Sequence, residues 1–229
     1  YLKKIYSGNG TFVTLDASLF YTNFQNIIIP DYDTNPNQII YDNLNGKSVS
    51  KGVSANVDIA LPNSFKVMFG RTLQDVSNTE NGITKRQILT ESYSANWGLS
   101  YTIRPWHLTL DYTGNLYGPM RLPTLGGSDP RRDFSPTWSI QNIQFTYGGM
   151  KNFEIYAGIK NLLNWTPNNG NPFIIARAND PFDKEVTFDN NGNAVATANN
   201  PNALTFDPTY VYGPNQGIRS FLGLRYTLN

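Results

Sequence analysis

Apolar and polar residues alternate with a period of two along most of the chain, the signature of β-strands with two unlike faces. From Thr11 the alternation places Val13, Leu15, Ala17, Leu19 and Tyr21 on one face and Phe12, Thr14, Asp16, Ser18 and Phe20 on the other. The pattern predicts that this strand runs to Ile29. It predicts a second strand from Gln38, whose later part sets Val53, Ala55, Val57, Ile59 and Leu61 against Ser54, Asn56, Asp58 and Ala60. A third is expected from Phe65 to Val76, a fourth over Tyr93 to Ile103, and a fifth from His107 to Leu116. The sixth, Thr137 to Tyr147, changes parity between Ile140 and Ile143, which predicts a bulge there. The seventh spans Phe153 to Asn161. The closing strand, 217–228, carries Ile218, Ser220, Leu222, Leu224, Tyr226 and Leu228 opposite Arg219, Phe221, Gly223, Arg225 and Thr227. Tyr1 to Tyr6 reads as the tail of an earlier strand.

The connections sort by length. Ser7 to Gly10, Pro62 to Ser64, Arg104 to Trp106 and Gly148 to Lys151 are short, and each alternates with a long one: 30–37, 77–90, 118–135 and 162–216. In an up-and-down meander this places every short turn at one end and every long loop at the other. Such asymmetry, with strands of the length that crosses a bilayer at a tilt, is the pattern of an outer-membrane β-barrel. A soluble barrel has no reason to sort its loops in this way. The predicted class is therefore all-β, an antiparallel up-and-down transmembrane barrel.

Charge placement agrees. Asp16, Asp58, Asp111, Glu154, Lys160, Arg219 and Arg225 all fall on the polar faces, as expected of a wet lumen facing away from lipid. Tyr21, Tyr101, Trp106, Tyr112 and Tyr226 are placed near strand ends, where aromatic girdles meet headgroups. The composition, 15% charged with 14% aromatic residues, suits strands and not helices. A net charge of +1 with no basic stripe excludes a nucleic-acid footprint. Cysteine is absent, which removes disulfides, thiolate metal sites and cysteine nucleophiles. No apolar run is long enough for a membrane-spanning helix, a fact that leaves barrels untouched.

Little in the chain points to catalysis. The single histidine, His107, follows a tight turn and has no serine elbow near it. Asp189 to Asn193 is rich in oxygen ligands but lacks the alternating positions of a calcium loop, and reads as a hairpin tip. Neither a catalytic residue, a metal site nor a cofactor is expected. Aromatic and basic residues in the long loops are the candidate contacts for a ligand or partner: Arg121, Arg131 and Arg132 in one, and Trp165, Phe173, Arg177, Tyr210 and Tyr212 in another. The alternative for them is packing of the loops against themselves.

Over essentially the whole chain, and most specifically in its last third, the sequence resembles the C-terminal part of TonB-dependent outer-membrane receptors. Gly158, Asn161, Leu162 and Leu163 match the family's Gly-x-x-Asn-Leu-Leu element on the penultimate strand, and Gly223, Tyr226 and Leu228 match its closing strand. Gly46, Gly52 and Val53 resemble a further glycine-led strand motif, with Ser54 where an acidic residue often stands. The chain ends Leu228-Asn229, where the family usually ends on an aromatic residue. The resemblance implies that residues 1–229 supply about the last eight to nine strands of a 22-stranded barrel. It also implies active uptake of a scarce nutrient (siderophore, cobalamin, glycan or peptide) and coupling to the TonB complex through an N-terminal plug outside this chain. The loop style is similar to Bacteroidetes members, some of which work with a surface lipoprotein. The competing expectation is a small stand-alone outer-membrane barrel with a structural or adhesive role.

Overall fold

The structure is a computed structural model that describes residues 1–6, 9–31, 40–123, 132–167, 187–191, 194–198 and 212–228. Its strands are β1 (Leu2–Tyr6), β2 (Phe12–Gln25), β3 (Ile28–Asp31), β4 (Ile40–Asn43), β5 (Gly46–Ala60), β6 (Phe65–Glu80), β7 (Ile83–Arg86), β8 (Tyr93–Ile103), β9 (Leu108–Tyr117), β10 (Trp138–Met150), β11 (Phe153–Lys160), β12 (Thr187–Phe188), β13 (Ala194–Val195) and β14 (Arg219–Tyr226). The only helical element among the described residues is a 3-10 turn, Arg104–Trp106. One antiparallel sheet runs in the order β1-β2-β5-β6-β8-β9-β10-β11-β14, with β7 hydrogen-bonded to β6. Each step along it joins sequence neighbours once the loop hairpins β3-β4, β6-β7 and β12-β13 are set aside, as the alternation predicts.

The register keeps the two faces apart across the sheet. Val13 lies opposite Ile59, Ile59 opposite Val67, Val67 opposite Leu99 and Leu99 opposite Tyr112. The row continues through Ile143 and Ile159. A slip of one residue anywhere would carry this row to the other face, so a buried or lipid-covered face specifies the pairing strongly.

Several expected boundaries move. The first strand ends at Gln25 and not Ile29, because Asn26 adopts a left-handed φ of 60° and the chain restarts as the β3-β4 hairpin. The expected second strand is correspondingly divided into β4 and β5. Gly46 opens β5 where a Cβ would strike the backbone carbonyl of Thr79, a close approach that glycine alone allows. The third strand extends to Glu80 and folds back through Asn81 and Gly82, both at positive φ, as a two-residue hairpin of the primed type requires. The bulge expected between Ile140 and Ile143 is not there. Pairing with β9 is continuous from Trp138 to Tyr147, and the irregularity falls between Tyr147 and Met150 at the short-turn end. The parity change has another cause: Ile140 turns to the polar face to join an aromatic cluster, while Gln141 takes a place on the apolar face, where its Oε1 accepts from Tyr112 Oη at 2.7 Å. Tyr112 thus stands mid-strand and not in a girdle.

Among the described residues, buried large hydrophobic side chains gather at one end. The buried hydrophobic cluster among the described residues is Met120, Leu122, Trp138 and Tyr212, all at the long-loop end. Along the wall the apolar face is open, with Leu19 85% exposed.

Candidate functional site

Two surfaces carry the chemistry. The first is the polar face of the sheet, where small and amide side chains follow one another across the strands. Asn56 Nδ2 donates to Asp16 Oδ1 at 3.3 Å, and Gly70 leaves the space that the Asn56 and Asn96 amides occupy from either side. Thr72 donates to Ser54 at 3.2 Å, and Thr102 and Thr109 share a hydrogen bond of 3.1 Å. These cross-strand hydroxyl and amide pairs tie neighbouring strands together along the polar face.

All seven charged residues expected on this face share it. Asp58 lies opposite Thr14 and Met68, and Asp111 opposite Ser100 and Gln144, so neither meets a charge across the sheet. The cations gather on the last two strands. Lys160 is directly opposite Arg219, and Glu154 opposite Arg225, whose Nη1 donates to Glu154 Oε2 at 2.8 Å. Between these pairs Phe221 covers Gly158 and Tyr156 covers Gly223, where a Cβ on either glycine would collide with the ring. Lys160 Nζ sits 5.5 Å from the Phe221 centroid and the Arg225 guanidinium 5.9 Å from that of Tyr156, within cation–π range. The two motif glycines therefore make room for rings that support the neighbouring cations.

The second surface is the cap at the long-loop end. Asn161, with a left-handed φ of 55° and 4% exposure, ties the chain after β11 to the chain before β14. Its Nδ2 donates to the carbonyls of Trp165 at 2.6 Å and Gln216 at 2.9 Å, while its Oδ1 accepts from Trp165 N at 3.0 Å. Asn142 Oδ1 accepts from Asn161 N, and Asn164 Oδ1 accepts from Ile218 N at 2.9 Å. Asparagine tolerates this backbone conformation and offers both a donor and an acceptor, which accounts for its place in the motif. Leu162 is half-buried and Leu163 is exposed. Gly158 and Gly223 act as described; the closing strand is β14, Arg219–Tyr226 and not 217–228, so Tyr226 lies exposed at its end and Leu228 exposed beyond it.

Held this way, Trp165 stacks on Trp138 with centroids 4.6 Å apart, and Trp138 stacks on Tyr117 at 4.3 Å. Tyr212 tilts against Trp165 at 6.1 Å and donates to the carbonyl of Pro167. Trp165 and Tyr212 thus serve as internal packing. Nothing in the local pattern marks Trp138 or Tyr117 as their partners, since each falls at a strand end.

Beside the cap, a cavity of about 330 Å³ lies between the β3-β4 and β6-β7 hairpins, lined by residues including Asp31, Asp42, Asn78, Glu80, Lys85 and Arg121. Arg121 is half-buried and its Nη1 donates to the carbonyl of Arg86 at 3.4 Å, while its backbone bridges Ile88 and Phe134. Asn78 Oδ1 is buried without a partner at this cavity, and Glu80 Oε1 accepts from Asn45 N. A mixed charged lining suits a polar ligand. Arg132 is exposed nearby in sequence. Arg131, Phe173, Arg177 and Tyr210 lie outside the described residues. His107 caps the 3-10 turn at a φ of 51°, and Asp189 Oδ1 accepts from Asn191 N in a local turn. Among the described residues no group of His, Asp or Glu is arranged to hold a metal ion.

Comparison with known proteins gives a consistent answer. Residues 2–162 match the family described as TonB dependent receptor-like, beta-barrel. Among solved structures, the ferric-catecholate import receptor Fiu from K12 E. coli superposes with a TM-score of 0.58 at 12% identity, covering 98% of this chain and 26% of that one. A mutant of the ferric enterobactin receptor PfeA from Pseudomonas aeruginosa, in complex with enterobactin, gives 0.53 at 18% identity, covering 96% and 30%. The ferric yersiniabactin uptake receptor FyuA from Yersinia pestis gives 0.53 at 15%, covering 71% and 24%. At these identities the likeness is one of fold, and the chain spans less than a third of each receptor. No curated protein matches the chain.

Proposed function

The chain belongs to the TonB-dependent receptor-like β-barrel family, a family of outer-membrane receptors and transporters and not of enzymes, and from that premise we propose that residues 1–229 form the C-terminal wall and outer loops of an active transporter. The polar face, with Asp16, Asp58, Asp111, Glu154, Lys160, Arg219 and Arg225, lines its lumen. The cap and the cavity beside Arg121 face the exterior and make first contact with a scarce nutrient: a siderophore, cobalamin, glycan or peptide. Arg131, Arg132, Phe173, Arg177 and Tyr210, in the same long loops of the sequence, are further candidate contacts. A plug domain elsewhere in the protein couples uptake to the TonB complex, and a surface lipoprotein is a fitting partner for the long loops.

The observation that carries this reading is the unequal burial of the two ends of one sheet. The wall leaves Leu19, Leu222 and Leu224 open on one face, whereas the described core sits only among the long loops. An open apolar face opposite a hydroxyl- and amide-lined one calls for lipid outside and water inside.

The test uses the full-length gene. A strain lacking it is expected to lose uptake of one nutrient from a panel of chelated metals, cobalamin, glycans and peptides, and a strain lacking TonB is expected to show the same loss. Uptake that continues without TonB would sink the coupling assignment, and recovery of the protein in the soluble fraction would sink the whole reading.

A further inference from the structure

Arg71 stands on the wrong face for a charge. It lies on the apolar side of β6 between Phe69 and Leu73, opposite Ala55 on β5 and Ala95 on β8. The row extends to Ala17 on β2, so three alanines flank one exposed guanidinium. Strands on both sides of β6 are described along its full contact, and Arg71 makes no hydrogen bond or ion pair with any described residue. Across β2, β5, β6, β8 and β9 the only carboxylate on this face is Asp75, and Lys51 Nζ already holds it at 3.4 Å. An unpaired arginine in a lipid-facing band is costly, and neighbouring protein normally supplies a partner or the side chain reaches the interface.

The position of Arg71 points to the second outcome. Toward the long loops, Tyr93 stands opposite Leu73, and the Lys51–Asp75 pair follows one row further on. These mark the level at which the apolar face becomes polar. Arg71 is one pleat below Leu73, so its side chain can run up beside Leu73 to that level. A shallow depression lies there, lined by Leu19, Tyr21, Lys51, Val53, Leu73 and Asp75. The alanine row beneath it leaves a low lane on an otherwise bulky surface.

We propose that Arg71 is a docking site for the phosphate of an anionic outer-leaflet lipid, whose headgroup sits in the Lys51-rimmed depression and whose acyl chains cross the alanine row. Guanidinium matches phosphate by two parallel charge-assisted hydrogen bonds, a geometry that lysine does not reproduce. A second copy of the chain is the poorer occupant. It would present the same face, whose one carboxylate on these strands is already paired.

The experiment takes the full-length protein from outer membranes in mild detergent, washes it extensively, and counts retained lipid by native mass spectrometry and phosphate determination. Wild type is expected to keep a phosphorylated lipid. Arg71→Leu is expected to lower its occupancy about tenfold, the scale of one charge-assisted bidentate contact, with Arg71→Lys in between. Lys66→Leu, on the polar face of the same strand, is expected to change nothing. If Arg71→Leu does not assemble, Ala55→Leu with Ala95→Leu fills the lane while keeping the charge, and is expected to displace the lipid. Equal retention in wild type and variant, wild type without bound phosphate, or a dimer that Arg71→Leu separates would each overturn the proposal. The location of wild type in the outer membrane is read independently from fractionation of the same cells.

Discussion

The wall and the cap place the same kinds of side chain in opposite surroundings. Leu222 and Tyr226 on β14 are 75% and 62% exposed, while Leu122 and Tyr212 at the cap are 1% and 7% exposed. In the wall the backbone is paired by ladders, and β14 keeps an unbroken register with β11 over eight residues. What differs is the medium that each group meets. The cap is stabilised as a soluble domain is, by protein packing against protein. The wall is stabilised by ladder hydrogen bonds, and on the function proposed above its apolar surface is left to lipid. One chain thus contains two folding problems, and substitutions should separate them.

The largest effect is expected in the cap. Trp138 lies between Tyr117 and Trp165 and is 7% exposed, so Trp138→Ala opens a cavity in the one place where packing is protein-made. A local loss of about 3–5 kcal/mol is expected. It should appear as faster proteolysis between residues 162 and 217 in the full-length protein, with the barrel still resistant to detergent. Loss of the barrel together with the cap would mean that the two regions are one cooperative unit.

On the wall, Leu222→Arg is expected to cost about 2–4 kcal/mol in a bilayer, because the side chain moves from water into hydrocarbon when the barrel inserts. Leu222→Ala, on the same exposed site, should be much milder. Refolding of the full-length protein into lipid vesicles at graded urea measures both. A soluble sheet would tolerate an arginine at a position this exposed almost without change, so a cost under about 0.5 kcal/mol would break the comparison.

The two regions also differ in how far the sequence reveals them. The wall is written locally: the parity of Val53 to Leu61 or Tyr93 to Ile103 is enough to assign strand, face and partner. The cap depends on contacts between residues distant in the chain. Trp138 and Trp165 meet only because Asn161 turns the chain back, and the parity break at Ile140, which reads locally as a bulge, records that Ile140 belongs to the cap. The Asn81-Gly82 hairpin is the exception, since its turn signal is local and sits within a stretch whose polarity reads as loop. The charges of the polar face are legible by parity, but the clustering of cations on β11 and β14 follows from pairing alone. Asn161→Ala tests the hinge between the regions. Removing its amide leaves the carbonyls of Trp165 and Gln216 and the amide of Trp165 without their partner, and about 1–3 kcal/mol of cap stability should go with it. Hydrogen exchange at Trp165 should rise while exchange within β11 stays slow.

The smallest expected effect bears on the polar face. Glu154 and Arg225 form an ion pair on it, with side chains 41% and 67% exposed. If that face lines a water-filled lumen, the pair is screened like any surface pair, and Glu154→Gln should cost only about 0.2–1 kcal/mol. The cost should shrink further as salt is raised, because the Debye length falls to about 3 Å at 1 M. A dry interior predicts the reverse, with about 3–5 kcal/mol lost and little response to salt, since an arginine would be left buried without its partner. Urea unfolding of the full-length protein at low and high salt separates the two cases. A large, salt-insensitive loss would move the polar face from the wet side of the molecule to the dry one, and the lumen assignment of Lys160 and Arg219 on the same strands would go with it.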